Sequence, residues 1–444
     1  MRIEQLELEN IGPFRSLSMP LAPTADVRSN VTVLIGDNGA GKTTVLKSLA
    51  TSLSWFVGRL RSGKSTGNSI LEEQIRNGAN SAAIKISTTD ETDRFEWTLV
   101  KTRAGRKGEH SSQLSQVVHL ADVYRTALTI YDQSNLPLIA FYPVERVVLD
   151  IPLKIREKHT FQQLDGYDNS LNQGVDFRRF FEWFREREDS ENEQSIPPEK
   201  LDQIDLIFGA RPELRAALQK LEDASRDRQL SAVRTAIAAF MPGFGNLRVR
   251  RKPKLYMSID KGEQSLNVSQ LSQGEKSLMA LVGDIARRLA MMNPDLPDPL
   301  KGRGLILIDE VDMHLHPRWA RDIIARLTTT FPNCQFVLST HSPLVISDSK
   351  DVLVYALDDG HLTRVPSLYG QDANTVLLEV MDTHIRNASV ATRLNDLLDL
   401  IQDNRLEEAR QVIGTLESEL PPQHLDLARA RVLLRKQEMR VAKD

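Results

Sequence analysis

The chain has 444 residues, of which 41% are hydrophobic and 26% charged, an ordinary profile for a globular protein with a sizeable core. Lys and Arg number 57 and Asp and Glu number 60, so a net charge of −3 excludes a protein that coats nucleic acid by bulk positive charge. The single cysteine, Cys334, excludes a disulfide framework within the chain and fits a reducing cytoplasm. We expect no signal peptide and no membrane contact, because no apolar run approaches the ~18 residues that span a bilayer.

The first 50 residues have strand–turn–helix order. Residues 2–8 place apolar side chains at alternate positions, which predicts a half-buried strand. Residues 31–35 form a continuous apolar run, typical of a strand buried on both faces. A glycine-rich turn and a helix follow. Further strands are predicted in two runs within 81–101 and over 136–144.

Helical spacing dominates residues 150–240, where charge density also rises, and we expect residues 185–200 to be disordered. The helical spacing is carried by Phe177, Phe180, Phe181, Phe184, Ala216, Leu218 and Leu221. Strands are then predicted over 246–260, 304–308, 335–339 and 351–357, with helices from 275 and near 318–329. From about 385 the chain is predicted to be helical, with an apolar face that contains Leu394, Leu397, Leu398 and Ile401.

The turn after the second strand fits the phosphate-binding pattern G-x-x-x-x-G-K-[ST]. Its glycines let successive N–H groups surround an anion, and the following helix adds the partial positive charge of its N-terminus. Lys42 is expected to reach the β and γ phosphates, and the Thr43 hydroxyl to hold Mg²⁺. The predicted nucleotide-binding residues are Gly36, Asn38, Gly39, Ala40, Gly41, Lys42, Thr43 and Thr44.

A second apolar strand, 304–308, ends in two carboxylates, Asp309 and Glu310. Ligands bind at the carboxyl edge of such open sheets, so Asp309 is predicted to hold Mg²⁺ together with Thr43. Glu310 is predicted to act as the general base that orients water against the γ phosphate. His341, at the end of another apolar strand, is a candidate for contact with that phosphate and the attacking water.

The segment 271–275 (LSQGE) precedes an apolar-periodic helix. Ser272 and Glu275 have the spacing of a capping box, which by itself marks only a helix start. Ser272, Gln273, Gly274 and Glu275 also resemble the signature motif of ABC-type ATPases. The order of phosphate loop, signature, Walker B carboxylates, a D-loop-like Asp312 and a switch-like His341 is similar to that whole family. The resemblance implies an ABC-type head that binds ATP and Mg²⁺ and pairs head-to-tail as a homodimer or higher oligomer, with Ser272 acting in trans.

The phrase ENIGPFRSL (9–17) looks like the opening of RecF-, RecN- and SMC-type ATPases, and segment 311–317 (VDMHLHP) also looks like the RecF and OLD-like groups. In that branch a basic residue of the phrase lies near the nucleotide phosphates, and Arg15 is the match. The 229 residues between Lys42 and Leu271 are too few for long coiled-coil arms. No nuclease motif is visible after His341. We therefore expect an ATPase that has no nuclease centre of its own and whose ATP hydrolysis can be slow.

The whole layout resembles PtuA, the ATPase subunit of Septu-type anti-phage systems that also occurs beside certain retrons. The supporting segments are 136–147 (LPLIAFYPVERV), 311–317 (VDMHLHP) after the Walker B carboxylates, and a charged two-helix tail. The resemblance implies control of an HNH nuclease, PtuB, and in retron versions a reverse transcriptase with its RNA–DNA product. Four domains are predicted: an N-terminal ATPase lobe (1–150), a helical insertion (151–245), a C-terminal ATPase lobe (246–384) and a helical tail (385–444).

Two other functions stay open, a RecF-like repair ATPase acting directly on DNA and a scaffold in which ATP is only structural. Two basic clusters could contact DNA or RNA phosphates, although a solvated strand edge is favoured. Their members are Arg248, Arg250, Arg251, Lys252 and Lys254, and separately Arg103, Arg106 and Lys107. The aromatic residues around Trp183 favour a small core or protein interface over base stacking. The tail helices could dock a partner, but packing within their own domain is favoured.

Overall fold

A computed structural model describes residues 1–107, 110–144, 161–172, 175–194, 226–381, 387–421 and 423–441. The chain forms two compact units, Met1–Ala373 and Asn374–Asp444. The division into four domains stays a prediction. Residues 185–194 belong to a helix, Phe177–Gln194, so the disorder expected there is wrong. Some residues used in the sequence predictions lie outside the described residues: 145–147, 195–200, Ala216, Leu218 and Leu221.

The core of the first unit is a six-stranded mixed sheet. Five strands run parallel, and the strand at one edge is antiparallel to its neighbour. Every residue of three of the parallel strands is buried, as in parallel strands covered on both faces. The spatial order is β13 (His361–Val365), β12 (Leu353–Asp358), β3 (Val31–Gly36), β11 (Cys334–Ser339), β10 (Gly304–Ile308) and β6 (Leu138–Tyr142). This arrangement confirms the predicted α/β class.

Two antiparallel sheets accompany the central sheet. One has the order β2-β1-β4-β5, with β1 (Arg2–Ile11), β2 (Phe14–Pro20), β4 (Ser81–Asp90) and β5 (Asp93–Thr102). The other has the order β7-β8-β9, with β7 (Phe244–Arg250), β8 (Tyr256–Lys261) and β9 (Gln264–Asn267). The strand structure predicted over 246–260 is present as two strands, because the chain reverses between β7 and β8.

Helices pack around the sheets of the first unit. The longest two follow the phosphate loop and the signature-like motif, and the second of these is buried from Ser277 to Met292. The aromatic residues from Phe177 to Phe184 are buried, which confirms a core role. Among the described residues no helix is long and apolar enough to cross a membrane. In the described part of this unit the helices are α1 (Lys42–Arg61), α2 (Ser115–Ile130), α3 (Phe177–Gln194), α4 (Arg228–Phe240), α5 (Gln273–Met292), α6 (Pro317–Thr330) and α7 (Pro343–Ser347).

The second unit has its own apolar core. Helix α8 (Ala373–Glu379) begins at its boundary, and α9 (Ala388–Gln402), α10 (Leu406–Glu419) and α11 (Leu425–Val441) follow. The buried cluster of these last three helices includes Leu397, Ile413 and Leu427. The expected two-helix tail is therefore wrong. The break before α10 includes Asn404, whose φ of 58° cannot continue a right-handed helix.

Leu397→Ala is expected to lower the free energy of unfolding of the second unit by about 2–5 kcal/mol, because Leu397 is fully buried in this core. Its neighbour Leu398 is 36% exposed, and Leu398→Ala is expected to cost only about 0.5 kcal/mol. Hydrogen exchange of backbone amides in α9, α10 and α11, measured on the full chain, separates the two variants. Equal exchange rates would show that the buried cluster does not stabilise this unit.

Candidate nucleotide site

The phosphate-binding turn lies between β3 and α1, where close packing requires glycine. A Cβ on Gly36 would lie 2.2 Å from the Leu357 carbonyl oxygen, and one on Gly41 would lie 2.5 Å from the Phe14 ring. Gly36, Gly39 and Gly41 all have positive φ, at 140°, 88° and 104°. The glycines thus let the turn pass between β12 and the start of β2 without side chains in the cradle.

The N-terminus of α1 fits an anion. Its N-cap, Gly41, supplies no side-chain cap, and its first turn contains no acidic residue. The first N–H groups of a helix lack intrahelical acceptors and carry partial positive charge, so this end can hold a phosphate. Asn38 and Gly39 are exposed at the mouth of the turn, while Ala40 is buried and its N–H donates to the Asp37 carbonyl at 3.2 Å.

Lys42 lies inside this cradle and is 6% exposed. Its Nζ donates to the carbonyl oxygens of Gly36 at 2.7 Å and Asp37 at 2.9 Å. Burial lowers the pKa of Lys42, and the carboxylates of Asp309, Glu310 and Asp37 oppose that shift. The ammonium is therefore within electrostatic reach of Asp309, the predicted metal ligand, and of Glu310, the predicted general base. Thr44, two residues on, has its side chain against Gly12.

Thr43 and Asp309 meet although 266 residues separate them. The Thr43 hydroxyl donates to Asp309 Oδ2 at 2.7 Å, and the Ser339 hydroxyl donates to Asp309 Oδ1 at 2.5 Å. Among the described residues no group of three or more His, Cys, Asp or Glu could hold a metal. A hydroxyl and one carboxylate nonetheless suit Mg²⁺, which keeps several waters and takes its other ligands from substrate phosphates.

Glu310 follows in a strained conformation with φ of 47°. Its N–H donates to Ser339 Oγ at 2.8 Å, and the next N–H, of Val311, donates to the Ser339 carbonyl at 2.9 Å. Non-glycine residues in this left-handed region cost energy and persist only where surrounding contacts fix them, which happens often at functional sites. Ser339 therefore contacts the Asp309 carboxylate and holds the backbone of Glu310, a role that sequence reasoning missed. Its position at the end of an apolar strand was the available signal.

Asp312 and His341 lie at the same edge of the sheet. The Thr340 hydroxyl donates to Asp312 Oδ1, and the Thr340 N–H donates to the Leu34 carbonyl at 3.1 Å. Since Thr340 is buried and His341 is exposed, the chain presents the histidine to solvent just after the end of β11. The structure thus brings Asp312 and the residue before His341 together.

The signature-like motif begins α5. Ser272 is its N-cap and forms a capping box with Glu275, whose N–H donates to Ser272 Oγ at 3.3 Å. Lys261 Nζ donates to Glu275 Oε1 at 2.7 Å. A Cβ on Gly274 would lie 2.2 Å from the His314 carbonyl oxygen, so the motif packs on the segment after the Walker B strand. The side chains of Ser272 and Gln273 are exposed.

Arg15 is exposed on β2. Its neighbour Phe14 is fully buried and packs on Gly41 of the phosphate turn. The phrase around Arg15 therefore reaches the cradle through Phe14, which sequence reasoning missed. A contact between Arg15 and nucleotide phosphates stays a prediction.

The basic clusters lie outside this edge of the central sheet. Arg248 and Arg250 are exposed on β7, an edge strand whose Val249 N–H donates to Glu188 Oε2 at 2.9 Å. Arg103 donates to the carbonyls of Ala79 at 2.9 Å and Ile75 at 3.0 Å, and so supports the turn before β4. These contacts agree with a charged, solvated strand edge and a structural arginine.

Two family models match the chain. One is described as "AAA domain" and matches residues 5–227, and the other as "AAA domain, putative AbiEii toxin, Type IV TA system" and matches residues 147–347. A solved structure described as the SMC head bound to the C-winged helix domain of ScpA covers 83% of this chain and 99% of its own, with a TM-score of 0.45 and 17% identity.

The chain is similar to curated relatives over most of its length. It is 31% identical to the Escherichia coli "Retron Ec83 probable ATPase" over 95% of this chain and 84% of that one. It is also 31% identical to the Vibrio cholerae "Retron Vc95 probable ATPase" over 77% and 72%. The "Septu protein PtuA" of Bacillus thuringiensis is 23% identical over 84% and 82%. The chain therefore belongs to the family of AAA-domain ATPases that includes the retron Ec83 and Vc95 proteins.

Proposed function

We propose that this ATPase is the nucleotide-driven subunit of an anti-phage defence complex and controls an associated HNH nuclease. The observation that supports the nucleotide chemistry is the contact between Thr43 and Asp309, the two residues that we propose to hold Mg²⁺ beside Lys42. The similarity to retron ATPases and to PtuA supports the defence setting. In this proposal the protein works in the cytoplasm.

Each residue has one task in the proposed hydrolysis. Lys42 moves its ammonium from the Gly36 and Asp37 carbonyls to the β and γ phosphates, and the N-terminus of α1 holds their charge. Thr43 and Asp309 hold Mg²⁺, which when bound neutralises charge that develops on the phosphates. Glu310 accepts a proton from the attacking water, and His341 orients that water and the γ phosphate. Arg15 is proposed to approach the phosphates from β2.

The exposed signature motif supports a head-to-tail homodimer. Ser272, Gln273, Gly274 and Glu275 begin a buried helix, and the N-terminus of that helix faces solvent through Ser272 and Gln273. We propose that they contact the ATP bound to the cradle of a second copy, with Asp312 near the junction. ATP binding would then be coupled to pairing of the two copies, and pairing would control the activity of the nuclease. A reverse transcriptase and its RNA–DNA product are proposed as further members.

Co-purification tests this assignment. The full chain is tagged, expressed with its genomic neighbours and isolated, and the proteins that elute with it are identified by mass spectrometry. We expect an HNH nuclease in the eluate, with a reverse transcriptase where the locus encodes one. Lys42→Ala, purified in parallel, shows whether association needs nucleotide. A chain that elutes alone and binds DNA tightly with ATP would contradict the proposal and favour a RecF-like repair ATPase.

A further inference from the structure

A buried charged cluster on α5 connects the signature-like motif to the Walker B strand. Asp284, Arg287 and Arg288 have side-chain exposures of 0%, 0% and 1%. Arg287 Nη2 and Arg288 Nε donate to the two oxygens of Asp284, each at 2.6 Å. The Tyr142 hydroxyl donates to Asp284 Oδ2 at 3.0 Å. The helix that begins at Ser272 is thus bonded to the last residue of β6.

Tyr142 has a second contact at the opposite end of the residue. Its carbonyl oxygen accepts the N–H of Asp309 at 2.9 Å, one position beyond the pairing of Ile308 with Tyr142. The ring and hydroxyl are fully buried, and burial together with the Asp284 carboxylate raises the pKa of Tyr142. Through its hydroxyl and its carbonyl, this one residue links α5 to the backbone of Asp309.

The same cluster reaches the helix of the phosphate turn. Arg288 Nη1 donates to the carbonyls of Gly166 at 2.6 Å and Asp168 at 3.0 Å. The Asp168 carboxylate forms ion pairs with Arg61, the last residue of α1, and with Arg179 on α3. Three parts of the nucleotide site, namely α1, β10 and α5, are therefore held by one set of polar contacts.

Stability alone does not account for these charges. Burial would raise the pKa of Asp284, but the Arg288 and Arg287 guanidinium groups outweigh it and keep the pKa below its ordinary value. Buried ion pairs lose hydration, and apolar residues of similar volume are often equally stabilising or better. The charged groups fix the relative positions of the elements that they join, because each hydrogen bond has a preferred distance and angle.

We propose that Tyr142 is a positioning residue for ATP hydrolysis, which transmits the position of the signature helix α5 to the Asp309 carboxylate. The hydroxyl follows Asp284 on α5, and the carbonyl fixes the backbone from which the Asp309 side chain reaches Thr43 and the metal. This inference rests on the proposed role of Asp309 as a Mg²⁺ ligand. A shift of α5 when its signature motif meets nucleotide would then alter the metal site.

The test compares two tyrosines in the full chain. Tyr142→Phe removes only the hydroxyl that binds Asp284. Tyr167→Phe is the matched control, because Tyr167 is 2% exposed and its hydroxyl donates to the Pro137 carbonyl at 2.6 Å, before the start of β6. Each variant loses one buried hydrogen bond, so similar decreases in Tm are expected. The Mg²⁺ dependence of mant-ATP binding is measured together with steady-state ATP hydrolysis.

Tyr142→Phe is expected to raise the Mg²⁺ concentration for half-maximal mant-ATP binding roughly five- to tenfold. This is the size of effect expected from the loss of one hydrogen bond. Its kcat should fall by a similar factor while KM for ATP changes little. Tyr167→Phe should leave both quantities near wild type. Equal behaviour of the two variants would overturn the inference and leave the proposed function intact. Asp309→Asn, measured beside them, reports separately on the metal role, and an unchanged Mg²⁺ dependence there would overturn that role and the inference with it.

Discussion

Glu310→Gln is expected to lower the rate of ATP hydrolysis by about 10²- to 10⁴-fold while ATP binding stays near wild type. The amide keeps the shape of the carboxylate but cannot accept a proton from water. The strained backbone at Glu310 is anchored by its own N–H to Ser339 Oγ, so the substitution leaves that anchor in place. Steady-state phosphate release and equilibrium binding of mant-ATP give the two quantities on the same preparation.

The same variant should accumulate the paired form. If two chains hold ATP between cradle and signature motif, a variant that binds ATP without hydrolysing it stays paired. Light scattering during size-exclusion chromatography, with and without ATP, reports the mass. Unchanged binding serves as the internal control for folding. Normal turnover by Glu310→Gln would remove Glu310 from the role of general base.

Lys42→Ala is expected to weaken ATP binding by about 3 kcal/mol or more, equivalent to at least roughly a hundredfold, because a buried charged donor to the phosphates is lost. The 6% exposure of Lys42 and its contacts with the Gly36 and Asp37 carbonyls place the ammonium inside the cradle. Lys47→Ala is a matched control on α1, since Lys47 is exposed. Isothermal titration with an ATP analogue measures both variants.

Two results would contradict the role given to Lys42. One is ATP affinity in Lys42→Ala equal to that of Lys47→Ala. The other is a loss of affinity that accompanies unfolding in the absence of nucleotide, which differential scanning calorimetry detects. The empty cradle itself uses Lys42 as a donor, so a modest decrease in Tm is expected for Lys42→Ala and is compatible with the proposal.

The parts of the site that could be predicted from the sequence are those with local signals. The glycines between an apolar run and a helix predict the turn from Gly36 to Thr43, because glycine readily adopts the positive φ found there. The strand 304–308, which precedes the two carboxylates, could also be predicted from a local signal. A strand that is buried on both faces is a continuous apolar run in the sequence.

The parts that could not be predicted depend on pairing between distant segments. Ser339 contacts Asp309 and Glu310 only because β10 and β11 are neighbours in register, and no local pattern announces that. Asp284 and Arg288 have the i, i+4 spacing of an exposed helical ion pair, yet both are buried. Their burial follows from the packing of α5 against β6 and the segment near Gly166. Nothing in the sequence of α5 itself indicates that packing.

The strand order of the central sheet has a consequence for synthesis on the ribosome. The phosphate turn is complete by Thr43, but Asp309 and Ser339, at the ends of β10 and β11, emerge about 270 and 300 residues later. At about 5–20 residues per second, a nascent chain spends roughly 15–60 s with β3 lacking its partners. Strands β1, β2, β4 and β5 pair with one another and end by Thr102, so their sheet can form during that interval. A growing chain therefore has a folded antiparallel sheet long before it can hold ATP, and a ribosome that stops before Ser339 releases a fragment with an unpaired apolar strand that chaperones must shield.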